Sequence, residues 1–549
     1  MKTAFICTLL VVSFQCVAQQ NTWQWGVSFG GGFNYIEEIE DVVVDKNGNS
    51  YAVGSCGPAF IHNDSIYQGY GKEDKYLASF SCSGQFRWIK IFGSKGDDDV
   101  VDYHLTLKNE NLLLTGTILL SVGDEFTFFD TTINETIAEC FIAEIDSSGQ
   151  MVSFLRTGPG NNGESSPFGI LKHNSNFYIG IRNSPGMLFN NANLLEGAHI
   201  ITLNEQLEYM ASIMISPTLH SDQISTFNLD KSGNYYIAGN RDLNDTIGGQ
   251  TGRSGAFLAK FNPSGQMEWI TGEEQSGTYL FGMDVKDNNV CISGWVTNGA
   301  VISGDTISGI GGAGSTHFVA CYDQDGILKW LHHADSVSTI SGASDVMFLK
   351  DKIVATGFYT GHAKYGDYTL TSLGNSDPSL VWYDLNGNVT NAISLHGTGN
   401  GPDGAQNLAH DPNGNLYVGG TFANELYVAG DTLRHQWSDR DIFIAKYGVA
   451  QCRDTSTGTA VIAAPKPTAE VNVFPNPMDN KAVVRFMDVH DQDVFFTLYD
   501  MQGRKVRNEV IPAGNTTITL SRGTLTSGLY LWQVRSSGKQ VASGKLVVE

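Results

Sequence analysis

Residues 41–93 read DVVVDKNGNSYAVGS (41–55), a polar stretch, and then KYLASFSCSGQFRWIKIFG (75–93). Short apolar segments flank two compact polar turns, DKNGN and SCSGQ. Asn-Gly and Ser-Gly at such positions supply the positive φ that a tight hairpin needs, so the stretch reads as four antiparallel strands. The same grammar recurs. Its clearest register is a strand ending in Gly: YAVG (51–54), LLTG (113–116), FYIG (177–180), YIAG (236–239), CISG (291–294), VATG (354–357) and LYVG (416–419). Successive terminal glycines lie 62, 64, 59, 55, 63 and 62 residues apart. Each unit also carries a third strand, such as FIAEID (141–146) or FLAKF (257–261), and a second Gly turn. A fourth strand follows, with Trp88, Trp269 or Trp330 in three of the units.

A four-stranded unit of this size cannot bury both faces alone. Stacking such sheets radially solves that problem, and the expected fold is all-β: a seven-bladed β-propeller over residues 19–450. The seventh unit stops at DIFIAKYG (441–448) without a fourth strand, whereas TWQWGVSFG (22–30) is a fourth strand without a unit. Trp25 and Gly30 repeat the spacing of Trp88 and Gly93. The N-terminal strand is therefore expected to complete the last blade and remove the open edges. The D-x-x-G-N-x-Y-x-x-G units resemble the repeats of bacterial seven-bladed propellers of the SBBP type. The hairpin Asp323-Gln324-Asp325-Gly326 with Trp330 also resembles those of quinone-dependent dehydrogenases. That family's eight blades and tryptophan docking are not expected here.

Residues 1–18 read as a secretory signal, with Lys2, an apolar run too short to span a bilayer, and cleavage between Ala18 and Gln19. No other stretch is apolar enough to cross a membrane as a helix. Residues 451–468 are small, Thr/Ala-rich and punctuated by prolines, which marks a linker. A separate short-strand pattern, expected to be a small β-sandwich, occupies 469–549. Its segments VNVFPNPMDN (471–480), FTLYDMQGRKV (496–506), LTSGLYLWQV (525–534) and GKLVVE (544–549) resemble the type A C-terminal sorting domain of type IX secretion cargo. The motif residues are Pro475, Asn476, Pro477, Tyr499, Asp500, Gly503, Gly528 and Tyr530. The resemblance implies a Bacteroidetes-type bacterium, the type IX secretion machinery as partner, and export across the outer membrane. It also implies removal of the domain and release or surface attachment of the cargo. The acidic LVVE end departs from the usual basic ending.

The chain of 549 residues carries a formal charge of −23 and a sequence pI near 4.9, so phosphate backbones are repelled and nucleic acid is not expected as a partner. Six cysteines follow the signal, with no CxxC and no Cys/His zinc spacing. Cys291 and Cys321 are expected on neighbouring strands and Cys56 and Cys82 near opposite strand ends, with buried free thiols the favoured state. Motifs for zinc proteases, P-loops, dinucleotide folds, nucleophile elbows and sialidase Asp-boxes are absent. His332, His333 and Asp335 alternate along a strand end, which disfavours a shared metal. DKNGN has the composition of a calcium loop but reads as a turn. No catalytic residue and no cofactor are expected, calcium being the one ion considered.

What the repeat leaves unexplained are its long loops between second and third strands. They and the acidic connections supply the ligand-facing candidates: Tyr67, Tyr70, Trp295, Tyr359, Trp437, Asp97, Asp98 and Asp99. The expected role is a secreted or surface-attached binding or scaffolding module for a glycan or protein ligand. The alternatives are a polysaccharide hydrolase or lyase with carboxylates at the channel, and a structural cell-envelope protein.

Overall fold

The computed structural model describes residues 21–31, 37–62, 65–95, 103–120, 124–134, 137–156, 165–183, 188–189, 192–218, 223–252, 254–272, 277–307, 314–399, 401–435, 440–449, 452, 471–486, 494–499, 505–536 and 539–548. The chain divides into two compact units, Met1–Arg453 and Asp454–Glu549. The described residues are β-strand, turn and bend, with one residue in a 3₁₀ turn.

Within the first unit, seven four-stranded antiparallel meanders follow one another. The first comprises Glu38–Val44, Ser50–Cys56, Asp74–Phe80 and Phe86–Ser94. Five more follow in chain order. The seventh takes Gly404–His410, Leu416–Phe422 and Asp441–Gly448, and its fourth strand is Thr22–Gly31. That last pairing runs from Thr22↔Gly448 to Phe29↔Ile442, as the unmatched Trp25/Gly30 strand requires. The first strand of each sheet packs on the first strand of the next, and Gly404–His410 packs back on Glu38–Val44. Buried apolar clusters lie between neighbouring sheets; one joins Val42 and Ala52 of the first sheet to Phe29, Tyr417 and Ile444 of the seventh.

The turns explain the repeated motif. In DKNGN, the Asp45 carboxylate accepts the amides of Asn47 (2.8 Å) and Asn49 (2.9 Å), the Asn49 side-chain amide (2.8 Å) and the Tyr51 hydroxyl (3.1 Å). Gly48 takes φ 81°, which a side chain would strain. Asp146, Asn204, Asp230, Asn262, Asp323, Asp384 and Asp411 accept the same pair of amides, two and four residues on. Asparagine serves as well as aspartate, so the motif needs an acceptor oxygen and not a charge.

Two features depart from expectation. The first is tryptophan docking, which does occur. Trp25, Trp88, Trp269 and Trp330 donate their indole N–H to the carbonyls of Cys82 (2.8 Å), Ser147 (2.9 Å), Gln324 (2.9 Å) and Leu385 (3.1 Å), each in the Gly turn of the following sheet. Their rings cover Gly84, Gly149, Gly326 and Gly387 so closely that a Cβ there would sit 2.6–2.8 Å from the indole. The glycine is thus required twice, for its φ and for the ring above it. The second is the state of the cysteines. Cys82 and Cys452 form a disulfide, with Cα atoms 5.7 Å apart, whereas Cys56, Cys140, Cys291 and Cys321 are buried thiols. Cys291 and Cys321 are register partners, as expected. The Cys82 bridge was hidden because its partner follows the last strand of the seventh sheet. The packing of the seventh sheet on the first brings that point to the first sheet's turn.

The loops between second and third strands are not irregular. In six sheets they contain a small separate hairpin, such as Ala59–His62 with Ser65–Gln68; in the sixth, Lys352–Tyr365 and Tyr368–Asp384 run on as one long hairpin. Several reach back to the preceding sheet: Phe60 pairs Gly31, Thr127 pairs Gly93, and the Gly248 amide donates to Ile215 O at 2.9 Å. What the sequence left as ligand-bearing loops are largely straps between sheets.

The second unit has a three-stranded sheet (Val471–Phe474, Lys481–Phe486, Thr517–Ser521) and a four-stranded one (Val494–Tyr499, Lys505–Ile511, Gly528–Ser536, Lys539–Val548). Both contribute to one core, with Val484 and Leu520 from the first and Phe496, Leu498, Trp532 and Val534 from the second.

Candidate functional site

The ligand candidates named from sequence scatter. Tyr359 is fully buried in the core between the fifth and sixth sheets, so it faces no ligand. It alternates inward on a strand whose register the sequence did not resolve. Tyr67 packs on Phe60 and Phe86, 6.3 and 6.0 Å between ring centroids. Tyr70 is 43% exposed in the connection between Ser65–Gln68 and Asp74–Phe80, its amide held by Asp74. Asp97, Asp98, Asp99 and Trp437 lie outside the described residues, as do Ala18 and Gln19. Trp295 alone borders a cleft: its ring stacks on Tyr279 at 4.1 Å between centroids.

That cleft, about 510 Å³, opens where the first strands of the second to fifth sheets begin. Tyr279 and Phe281, on Thr278–Lys286, both line it and are 45% and 44% exposed while Leu280 between them is buried; the strand bulges between Leu280 and Gly282. Opposite them are His104, Gln223, Asn240 and Arg241. The side-chain atoms His104 Nε2 and Asn240 Oδ1 are buried without a hydrogen-bond partner among the described residues. Burial pushes the His104 imidazole down to about 4, so it is neutral at physiological pH. Gln223 Nε2 donates to both Asp242 (3.1 Å) and Asp245 (2.9 Å), fixing its amide on the rim. The Ser225 hydroxyl donates to Leu280 O at 2.6 Å and ties the two walls together. The sequence signal for this site was TYLF (278–281), in which aromatic residues flank a buried leucine.

A second cleft, about 360 Å³, lies between the sixth and seventh sheets and includes Asp403, Asn375 and Arg440. Asp403 accepts the Ala423 amide at 2.7 Å; burial, reinforced by Asp377, raises its carboxyl to about 7. Nearby, Asp377 (3.0 Å) and Ser394 (3.4 Å) both meet His396 at Nδ1. A Ser–His–Asp relay needs the two partners on different ring nitrogens, so this trio is not one.

The carboxylates where the first strands pack together are committed to structure. Asp41, Asp284 and Asp345 each accept their neighbour's amide and one from the next sheet: Leu105 N at 2.7 Å, Phe348 N at 2.8 Å and Leu408 N at 2.9 Å. Burial raises all three, Asp41 to about 6 and Asp345 to about 7. Among the described residues no group of three or more His, Cys, Asp or Glu is arranged to hold a metal. His332 packs edge-on against Tyr383, 5.2 Å between centroids, while His333 Nδ1 meets the Ala334 carbonyl at 2.9 Å.

In the second unit the Pro-Asn-Pro motif has a visible task. Asn476 Nδ2 donates to Lys545 O (2.9 Å) and its Oδ1 accepts the Val547 amide (2.8 Å), so one side chain clamps the C-terminal strand. Both flanking peptide bonds, Phe474-Pro475 and Asn476-Pro477, are cis. Tyr530 is buried and donates to Thr526 O at 2.8 Å, closing the turn before Gly528. Tyr499 pairs Lys505 and Leu531 across two ladders; Asp500 and Gly503 lie outside the described residues. Residues 472–549 match the family described as secretion system C-terminal sorting domain. Residues 472–549 are a type IX secretion sorting domain. The protein is exported to the cell surface or beyond, its sorting domain engages the type IX machinery, and no helix among the described residues is long and apolar enough to cross a membrane.

No curated protein matches this chain in sequence. Among solved structures it is similar to a fungal alcohol oxidase of the AA5 family (11% identity, TM-score 0.40, covering 96% of this chain and 99% of that one). It is also similar to YCF48 bound to D1 peptide (11%, 0.37, 78% and 96%). A third is the extracellular domain of a putative one-component system from B. thetaiotaomicron (12%, 0.29, 93% and 68%).

Proposed function

We propose that this chain is a closed seven-bladed β-propeller of the SBBP-like kind that acts, once exported, as a binding module at the cell surface. Its ligand site is the cleft at Tyr279 and Phe281. The observation that carries the reading is the pairing of two exposed aromatic rings with two buried, unpartnered polar atoms, His104 Nε2 and Asn240 Oδ1. Leaving such atoms unpaired costs about 1–3 kcal/mol each, a cost that a ligand or bound water would offset. Closure is supported by the Thr22–Gly31 pairing with Asp441–Gly448, by the continuous packing of first strands, and by the Cys82–Cys452 bridge. Binding without turnover is the reading because Asp41, Asp284 and Asp345 are each tied to two backbone amides.

The test is a combined glycan and peptide array probed with the purified full-length chain and with Tyr279→Ala. Saturable binding that Tyr279→Ala abolishes is the expected result. No binding on either array would sink the reading.

A further inference from the structure

The geometry points to a neutral saccharide chain as the ligand of the Tyr279–Phe281 cleft. This inference rests on the binding reading above and goes further by naming the ligand's chemistry.

Three features of the cleft set that chemistry. The first is the platform. Tyr279 and Phe281, on either side of buried Leu280 and beside a bulge before Gly282, both line the cleft with exposed side chains. Tyr279 is backed by the parallel Trp295 ring, 24° between planes, which fixes its orientation. An aromatic face with a negative quadrupole attracts the C–H face of a pyranose, and two in series suit a chain of rings better than one compact molecule.

The second feature is the polar wall. Among the described residues Asn240 Oδ1 lacks a donor and His104 Nε2 lacks a partner of either kind. The neutral imidazole donates or accepts there according to tautomer, and a hydroxyl answers either need. A small turn of either side chain toward the cleft lets a ligand dense in hydroxyl groups satisfy both atoms, whereas a purely apolar peptide side chain leaves them unpaired.

The third feature is charge. Arg241 stands in the wall with Asp245 as its charge partner, and Asp242 and Asp245 also hold Gln223. Two carboxylates stand beside that one cation on a chain of net charge −23, which favours an uncharged ligand over a polyanion.

The arms of the test are a glycan array with neutral and uronic-acid-containing oligosaccharides and a parallel peptide array. Wild type, Tyr279→Ala, Phe281→Ala and Asn240→Ala are compared, with Tyr427→Ala as an exposed aromatic control on another sheet. The expected result is binding to a neutral oligosaccharide of at least two rings. Each aromatic truncation weakens it about three- to tenfold. Asn240→Ala weakens it, Tyr427→Ala leaves it unchanged, and the thermal midpoints of all variants stay near wild type. If a variant is unstable, protection of the wild-type Tyr279–Trp295 region from hydrogen exchange by the bound oligosaccharide decides instead. Binding to peptides alone, lost in Tyr279→Ala, overturns the saccharide and keeps the binding reading. Preference for uronic-acid chains overturns the neutral assignment. Silence on both arrays overturns both readings.

Discussion

Trp25, near the beginning of the described chain, donates its indole N–H to the carbonyl of Cys82 and lies flat over Gly84. The same contact recurs between other neighbouring sheets, but here it joins the seventh sheet to the first. Lys446 adds to the joint: its ammonium reaches Cys82 O at 3.3 Å and stands over the Tyr417 ring at 5.4 Å. The seam is therefore held by a strand ladder, an indole, a buried cation and a disulfide.

Trp25→Ala removes a hydrogen bond and opens space over Gly84. A loss of about 2–4 kcal/mol is expected, since the ring is partly buried. Urea unfolding with unchanged slope checks it. Gly84→Ala should be at least as damaging, because its φ of 78° and the ring above it both exclude a Cβ.

The Cys82–Cys452 bridge closes a loop of sequence separation 370. Replacing both cysteines with serine should cost about 2–5 kcal/mol. Reductant should lower the thermal midpoint of wild type and leave the double variant unmoved, which calorimetry reads directly.

Asp45→Asn should keep the two turn amides, as Asn204 and Asn262 do, but lose the oxygen that accepts the Asn49 side-chain amide and the Tyr51 hydroxyl, at a cost of about 1 kcal/mol. Asp45→Ala should lose about 1–3 kcal/mol, since it leaves turn amides unpaired. Calcium should shift neither midpoint; a calcium-dependent rise in wild type alone would mark the turn as a metal loop.

The buried carboxyls give a pH dependence of definite sign. Asp41, Asp345 and Asp403 are raised to about 6, 7 and 7, chiefly by burial. A raised carboxyl favours the folded state while protonated, so its contribution is full below pH 4 and disappears as pH rises to about 7. Asp41 alone accounts for about 3 kcal/mol. Asp146 and Asp384, held below the usual carboxylate range, act oppositely at the acid end: their contribution is lost as pH falls below about 4. The buried imidazoles His104 and His317, pushed down to about 4 and about 3, act the other way and gain stability as pH rises toward 6.5. The carboxyl contribution is therefore read as a difference: between pH 4.5 and pH 7.5 the thermal midpoint of Asp345→Asn should fall less, or rise more, than that of wild type.

The repeat and its turns were legible because hairpin chemistry is local: Asp45, Gly48 and Asn49 sit within five residues. The closing strand was legible because Trp25 and Gly30 repeat a spacing found elsewhere. The Asn476 clamp was not, because it depends on strands 69 and 71 residues away. The site was missed for a related reason. His104, Asn240 and Tyr279 come from three different sheets and converge only through the stacking of those sheets. Tyr359 misled because an aromatic in a long connection looks exposed until strand register shows which way it alternates.

Thr22–Gly31 completes the seventh sheet, and closure of the array depends on it. Hydrogen exchange on the full-length chain and on a variant lacking residues 22–31 tests this. Amides of Asp441–Gly448 facing the missing strand should lose protection, and unfolding should become less cooperative across the first unit. Unchanged protection of Asp441–Gly448 in the truncated chain would contradict it.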